Sequence, residues 1–223
     1  MTLSLFIQAL SKYLAGVLLV GLLIFLPAGT FSYFGGWLLM GILFLPMFFA
    51  GIVMMVKNPA LLQKRLDAKE SRKTQSAVVK LSGLMFVLGF VLAGLDFRFA
   101  WLPMPRGLSI GAAVVFLLAY VLYAEVLREN TYLSRTIEVQ EGQKVIDTGL
   151  YGIVRHPMYS ATLLLFLSMP LVLGSLVALP VFLAYPFIII ARLKNEEQLL
   201  EAELPGYRTY QQKVKYRLIP FVY

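Results

Sequence analysis

The sequence contains no cysteine, and His156 is its single histidine. Without thiols the chain can form no disulfide, no thiolate nucleophile and no sulfur-ligated metal site. A metal site would have to rely on carboxylates with at most one imidazole. We therefore expect no metal in the function of this protein.

Charged residues are also scarce, at 14% of the chain, whereas 59% of its 223 residues are hydrophobic. A soluble globular protein needs more polar surface than this to cover its core, so the composition excludes that class. A helix needs about 20 mostly apolar residues to cross a bilayer, and six apolar segments of the chain are near that length. They lie near residues 13–29, 33–56, 81–99, 109–127, 159–173 and 176–193. The first segment lacks a small-residue cleavage pattern and leads directly into the second, so we interpret it as a span and not as a signal peptide.

The basic residues are distributed unequally between the two sides of this arrangement. If residues 1–12, 57–80, 128–158 and 192–223 share one side, that side holds 18 of the 20 Lys and Arg, leaving Arg98 and Arg106 opposite. Such an asymmetry predicts that the basic side is cytoplasmic. The net charge of +8 is then a topology signal that also contacts anionic lipids, and we expect no nucleic-acid partner. We expect the inner membrane of a bacterium or archaeon.

The sequence thus predicts an all-α integral membrane protein, a helical bundle of five to six transmembrane segments with a C-terminal helical hairpin and both termini cytoplasmic. Residues 1–124 are interpreted as a scaffold of two helical hairpins, and residues 125–223 as the cofactor-binding and catalytic region of the same membrane-embedded unit. In the connector 57–80, Leu61, Leu62 and Leu66 fit either a short amphipathic helix on the membrane surface or a solvated linker.

The apolar segment 159–173 is short for a membrane span. Its 15 residues give about 22 Å of helix at 1.5 Å per residue, less than the about 30 Å hydrocarbon core. We predict a hairpin that turns at Gly174 and Ser175 and either just spans the membrane or is partly re-entrant. Both of its ends then return to the cytoplasmic face.

This hairpin brings two polar motifs together. "RHP", residues 155–157, stands before the outgoing arm, where Pro157 suits the first turn of a helix and where backbone N–H groups favour an anion such as a cofactor carboxylate. On the returning arm, Arg192 and Glu196 lie four residues apart on one helical face. Each motif also has a structural interpretation, with the arginines as membrane anchors, His156 as a helix cap and the glutamates paired with neighbouring basic residues.

The order of these motifs resembles a known family. "NTYLS", "VQEGQKVIDTG" and "GLYGIVRHPMYSA", then a hairpin, "RLKNEEQLL" and "PGYRTYQQKVKYRLIP", are similar to the isoprenylcysteine carboxyl methyltransferases, which are related to phospholipid N-methyltransferases. The resemblance covers residues 125–223. The chain departs from the common pattern at Leu150, where many members have proline, and at Ala161, where they have glycine.

The resemblance implies S-adenosylmethionine as methyl donor and a lipidic or hydrophobic small-molecule acceptor that reaches the site among membrane lipids. Its cofactor contacts correspond to His156, Pro157, Tyr159, Glu197, Tyr207 and Tyr210. Arg192 and Glu196 correspond to the catalytic pair beside the acceptor. A carboxylate acceptor of the prenylcysteine kind needs orientation by Arg192, whereas an amine must be deprotonated, with Glu196 as the base.

Three alternatives differ from carboxylate methylation. The first is a phospholipid N-methyltransferase. The second is a membrane reductase of the sterol-reductase type, which has a similar C-terminal half but uses NADPH. The third is a non-enzymatic scaffold or small transporter, although the scarcity of polar residues within the spans argues against transport.

Overall fold

The computed structural model describes residues 3–66, 73–133 and 138–223. Throughout these ranges the regular structure is helical, which confirms the predicted all-α membrane fold. The helices are α1 Leu3–Ala28, α2 Phe34–Lys57, α3 Pro59–Leu66, α4 Lys73–Phe99, α5 Arg106–Glu129, α6 Pro157–Val172, α7 Leu179–Phe182, α8 Tyr185–Glu203 and α9 Tyr207–Lys213.

Four helices, α1, α2, α4 and α5, are long and apolar enough to cross a membrane. Each has 24 to 27 residues, or roughly 36 to 40 Å at 1.5 Å per residue. Many of their large apolar side chains are exposed, among them Leu18, Leu26 and Leu118. In a membrane these side chains face lipid.

The core lies where the C-terminal hairpin packs against these spans. Ala112, Ala113 and Ala119 of α5 and Ala161 of α6 are buried in the bundle, and Phe116 has no exposed surface. Small side chains let two helices approach closely, which is the usual basis of helix packing in membranes. Extensive contact between α5 and α6 follows from this composition.

The hairpin turns where the sequence predicts. Gly174 adopts φ +75°, a left-handed conformation that glycine reaches without strain, and Ser175 follows it. The hydroxyl of Tyr33 donates to the Leu173 carbonyl at 2.6 Å, and the Ser175 hydroxyl donates to Asp96 at 2.6 Å. Asp96 is in the last turn of α4, so the tip of the hairpin reaches that end of the bundle. The structure therefore favours a hairpin that runs the full length of the bundle over a partly re-entrant one.

The returning arm differs from the single segment 176–193 that we predicted. It is divided into α7 and α8 at Leu183 and Ala184. Pro180 and Pro186 stand in the first turns of α7 and α8. A proline there lacks the N–H that would continue a helix from the preceding turn, so the arm breaks before each one. Helix α8 then continues beyond 193 to Glu203, carrying the charged motif with it.

The connector after α2 contains the predicted short helix, but its leucines are placed differently. The Leu61 N–H donates to the Asn58 side chain at 3.1 Å, which caps α3. Leu61 and Leu62 are buried where α3 packs on α1 and α2, and Leu66 is half-buried. The apolar face of α3 therefore covers the protein's own helices and not the membrane surface. The remainder of the connector, residues 67–72, lies outside the described ranges.

Candidate active site

The RHP segment is held by the end of α5. Before it, residues 149–152 form a turn of 3-10 helix in which Gly149 adopts φ +50°. The Leu150 N–H donates to the Glu129 carboxylate at 3.1 Å, and the Asn130 side chain donates to the Tyr151 hydroxyl at 2.9 Å. These contacts fix the chain that enters α6.

The C-terminal tail, residues 214–223, lies along this segment. The N–H groups of Arg155 and His156 donate to the carbonyls of Tyr216 and Arg217, both at 2.9 Å. The Arg155 guanidinium donates to the carbonyls of Val214 and Lys215 at 2.9 and 3.0 Å. Tail and RHP segment are thus held together by both backbone and side chain.

These contacts alter one expectation from the sequence. Pro157 begins α6 as predicted, but the neighbouring N–H groups already have protein partners. Those of Arg155 and His156 donate to the tail, while those of Tyr159 and Ser160 donate to the His156 carbonyl. The N–H groups that we expected to hold an anion are therefore used within the fold at these four positions.

Glu197 is the centre of a buried ion-pair cluster. Its side chain accepts hydrogen bonds from Arg155 Nε at 2.7 Å and from Arg217 Nε at 2.8 Å, and His156 Nε2 lies 3.3 Å from it. Only 4% of the residue is exposed. Burial alone would raise the pKa of Glu197, but the hydrogen bonds and charges of His156, Arg155 and Arg217 lower it to about 2. The carboxylate is thus ionised at neutral pH and holds the RHP segment, α8 and the tail together.

Glu196 faces a different environment. It accepts a hydrogen bond from the Tyr159 hydroxyl, and that hydroxyl also accepts a hydrogen bond from Arg192 Nε at 3.1 Å. Glu196 and Arg192 are half-buried, whereas Tyr159 is 3% exposed. Because consecutive residues of an α-helix are about 100° apart around its axis, adjacent glutamates on α8 reach different partners.

A cavity opens beside this group, at the end of the bundle where α5, α6, α8 and α9 meet. It is partly open to solvent. Its charged lining consists of Glu138, Lys144, Arg155, Arg192 and Glu196. The remaining lining residues are His156 and largely apolar or aromatic side chains, namely Asn130, Tyr132, Leu133, Gln143, Val145, Ile146, Tyr151, Met158, Tyr159, Leu199, Leu200, Leu204, Tyr207 and Tyr210.

Two tyrosines of α9, Tyr207 and Tyr210, line this cavity and differ in their hydrogen bonds. The Tyr210 hydroxyl donates to the Tyr151 carbonyl at 2.7 Å, so it helps to hold the 3-10 turn. The Tyr207 hydroxyl is buried and has no hydrogen-bond partner among the residues that the structure describes. Burial raises the pKa of both phenols, which are neutral at physiological pH. A buried hydroxyl without a partner is costly, and a polar ligand group in the cavity would supply one.

The site residues predicted from the sequence are thus brought together, but in two layers. His156, Tyr159, Arg192, Glu196, Tyr207 and Tyr210 line the cavity. Pro157 and Glu197 lie outside that lining, Pro157 as the first residue of α6 and Glu197 in the ion-pair cluster. Sequence reasoning assigned no function to Arg217, Tyr151 or Asn130. Their role depends on long-range pairing that no local pattern reveals.

The chain is similar to membrane methyltransferases. Residues 108–204 match the family model described as phospholipid methyltransferase. The solved structure of the eukaryotic intramembrane Ras methyltransferase ICMT (isoprenylcysteine carboxyl methyltransferase) matches 96% of this chain and 77% of that one. The TM-score is 0.58 at 19% sequence identity. The chain therefore shares the fold of this solved structure. The family match covers α6 and α8 and so includes Arg155, Arg192 and Glu197.

A curated relative of a different class also matches. The Delta(14)-sterol reductase TM7SF2 of Mus musculus is 27% identical over 137 residues, which are 54% of this chain and 33% of that protein. The chain therefore spans about a third of the length of this relative. Parts of the chain thus match both a methyltransferase family and a reductase, and the two matches alone do not distinguish their reactions.

Proposed function

We propose that the protein transfers a methyl group from S-adenosylmethionine to a lipidic carboxylate, with the cavity facing the cytoplasmic boundary of the membrane. The observation that carries the proposal is the cavity itself, where Arg192 and Glu196 meet apolar walls at one end of a membrane bundle. The match to the phospholipid methyltransferase family supports methyl transfer as the reaction class.

The residues around the cavity fit this cofactor. An amino-acid end needs polar partners, which Asn130, Glu138 and the unpartnered hydroxyl of Tyr207 offer, and an adenine needs apolar or aromatic surface, which Leu199 and Leu200 offer. When bound, S-adenosylmethionine supplies an electrophilic methyl group on a sulfonium. The protein has to bind it, orient it and keep water from the reacting atoms.

NADPH suits the same walls less well. Its pyrophosphate and 2′-phosphate require several basic groups or free helix N-termini. In the described lining, three basic residues face two acidic ones, and the guanidinium of Arg155 is already paired with Glu197. At the start of α6, the N–H groups of Tyr159 and Ser160 donate to the His156 carbonyl and are not available to a phosphate. These features favour the methyltransferase over the reductase.

The chemistry favours a carboxylate as acceptor. Methyl transfer from a sulfonium to a carboxylate turns a cation and an anion into neutral products, so charge decreases on the way to the transition state. A dry site of low dielectric constant favours such a reaction once both partners are aligned. Arg192 is placed to orient the carboxylate, and alignment can contribute about 7 to 11 kcal/mol to the lowering of the barrier.

The family description also suggests a phospholipid amine, which requires a base. Glu196 faces the cavity and is the candidate base for such an acceptor. However, its carboxylate already accepts a hydrogen bond from the buried Tyr159, so part of its acceptor capacity is used within the protein. This arrangement favours the carboxylate.

The two acceptors are distinguished by the bond that forms. Purified protein is incubated with S-adenosylmethionine labelled on its methyl group and with vesicles of phosphatidylethanolamine that contain N-acetyl-S-farnesylcysteine. We expect label in a methyl ester that mild base releases as methanol. Label in a base-stable N-methyl headgroup would instead assign the amine, and absence of transfer to both would contradict methyl transfer to either class.

A further inference from the structure

We infer that Tyr159 is a positioning residue of the acceptor side, and not a cofactor contact as its sequence motif suggests. Its hydroxyl holds Arg192 and Glu196 in a fixed relation to each other. This inference rests on the proposed methyl transfer, because it concerns how the same site aligns its acceptor.

The hydroxyl of Tyr159 has a single proton and two neighbours. It donates that proton to Glu196 and accepts a hydrogen bond from Arg192 Nε at 3.1 Å. The two roles are complementary, since a phenol can donate once and accept at the same time. Glu196 and Arg192 are long, half-buried side chains with many rotamers, and a common partner reduces their freedom.

The ring of Tyr159 is itself held firmly. It is buried to 97% by its neighbours, since only 3% of the residue is exposed, and it stacks on His156 with ring centroids 5.6 Å apart and planes inclined by 19°. His156 in turn lies beside Glu197. The ion-pair cluster around Glu197 is therefore linked through two stacked rings to the residues that face the cavity.

This chain of contacts links the buried ion-pair cluster to the two charged side chains at the cavity. Arg192 and Glu196 are on the second arm of the hairpin, while Tyr159 is on the first arm, and the hydroxyl joins the arms at the cavity wall. A shift of about 1 Å in a catalytic group can lower the rate substantially. Loss of the hydroxyl should therefore affect the acceptor step more than cofactor binding.

The test replaces Tyr159 by phenylalanine, which keeps the ring and its stacking but removes the hydroxyl. Tyr120→Phe is the matched control. It removes a hydroxyl that donates to the carbonyl of Leu43 on another helix at 2.9 Å, away from the cavity. S-Adenosylhomocysteine affinity is measured by titration. The kcat and KM are measured with whichever of N-acetyl-S-farnesylcysteine and phosphatidylethanolamine the unchanged protein methylates.

We expect Tyr159→Phe to keep S-adenosylhomocysteine affinity within about threefold and to lower kcat/KM for the acceptor by at least about tenfold, the scale of a lost hydrogen bond to a charged group. Tyr120→Phe should keep both values. In the double variant Tyr159→Phe/Arg192→Lys, the two losses should not multiply, because both act on one group of side chains. A purely structural role of Tyr159 would give multiplicative losses.

Besides multiplicative losses in the double variant, two results would overturn the inference. One is a tenfold or greater loss of S-adenosylhomocysteine affinity in Tyr159→Phe, which would assign the residue to the cofactor side. The other is acceptor kinetics of Tyr159→Phe that match those of Tyr120→Phe. If the unchanged protein binds no S-adenosylhomocysteine, the proposed function itself fails. If the unchanged protein binds the ligand and methylates an acceptor but Tyr159→Phe behaves like Tyr120→Phe, only the inference about Tyr159 fails.

Discussion

Glu197 shows most clearly how single residues stabilise this site. Its carboxylate is buried between the guanidinium groups of Arg155 and Arg217. Burying charges is unfavourable unless they are paired and hydrogen-bonded, and removal of one partner leaves the others without compensation. The cluster is therefore sensitive to the charge at residue 197 and less sensitive to its shape.

We predict that Glu197→Gln destabilises the protein by about 3 to 5 kcal/mol, because it leaves the buried guanidinium of Arg155 uncompensated. Thermal unfolding in detergent measures the loss as a lower Tm. Glu201→Gln is the control on the same helix, since Glu201 is exposed and its partner is Gln211. An equal Tm for both variants would show that the ion-pair cluster adds no stability.

The pH dependence of this effect has a definite sign. The folded protein holds the pKa of Glu197 near 2, below its ordinary value of 4.5. A lowered pKa stabilises the fold above the ordinary value, and that stabilisation disappears as the pH falls through the folded value. We expect the Tm difference between wild type and Glu197→Gln to stay constant from about pH 7 to 5 and to decrease between about pH 4.5 and 2. A difference that is already lost at pH 5 would contradict this assignment.

Arg192 separates an acceptor residue from a membrane anchor. Its Nε donates to the Tyr159 hydroxyl, and it lines the cavity. Lysine would keep the positive charge but not the planar guanidinium, whose two N–H groups can bind both oxygens of a carboxylate. We predict that Arg192→Lys keeps S-adenosylhomocysteine affinity within a few fold and lowers methyl transfer about a hundredfold, or about 2.7 kcal/mol. The exposed Arg208→Lys serves as control, and wild-type turnover in Arg192→Lys would identify an anchor.

At this scale the sequence predicts which residues meet but not what each one does. Spacing places Arg192 and Glu196 on one face of a helix, and the structure shows both at the cavity. The function of Glu197 depends on Arg217, which lies 20 residues further along the chain. Periodicity carries no information about such a contact, because the tail first has to fold back along the RHP segment.

Among the elements, the C-terminal hairpin depends on close packing at its tip. A methyl group on Gly35 of α2 would lie 2.6 Å from the Leu173 carbonyl oxygen, and backbone atoms cannot rotate away as a side chain can. The tip is therefore held by a glycine of the first hairpin, by Tyr33 and by Asp96. Helices α2 and α4 and the residue before α2 therefore all contact the tip of the hairpin.

We predict that Gly35→Ala lowers the Tm by an amount that corresponds to about 1 to 3 kcal/mol, the usual effect of overpacking. Gly41→Ala is the matched control in the same helix, because the space around a Cβ at Gly41 is open for 4 Å. Alanine there should keep or raise the Tm. Equal Tm values for the two variants would mean that the tip does not need the close approach at Gly35.

The elements themselves were largely predictable, because long apolar runs leave few alternatives in a membrane. The turn at Gly174 follows from glycine and serine between two apolar arms. The break between α7 and α8 was not predicted, since prolines inside apolar segments either kink or end a helix and only packing decides. The placement of Leu61 and Leu62 inside the protein likewise depends on α1 and α2, which a local amphipathic pattern cannot include.

For the whole molecule, the unequal distribution of basic residues predicts that the end of the bundle with the cavity faces the cytoplasm. The absence of cysteine allows single cysteines to report which side of the membrane a residue occupies. In intact bacterial cells that express the protein, we predict that Pro103→Cys reacts with a membrane-impermeant thiol reagent. Gln198→Cys, at an exposed position of α8 beside the cavity residue Leu199, should react only after permeabilisation. The reverse pattern would place the cavity outside the cytoplasm.

The central claim is that the cavity binds S-adenosylmethionine, and its most direct test is a comparison of two ligands on purified protein. A ligand that binds the folded state raises its Tm. We predict that S-adenosylhomocysteine binds in an isothermal titration and raises the Tm, whereas NADPH does neither. Stabilisation by NADPH without binding of S-adenosylhomocysteine would contradict the methyltransferase account and would assign the site to a reductase.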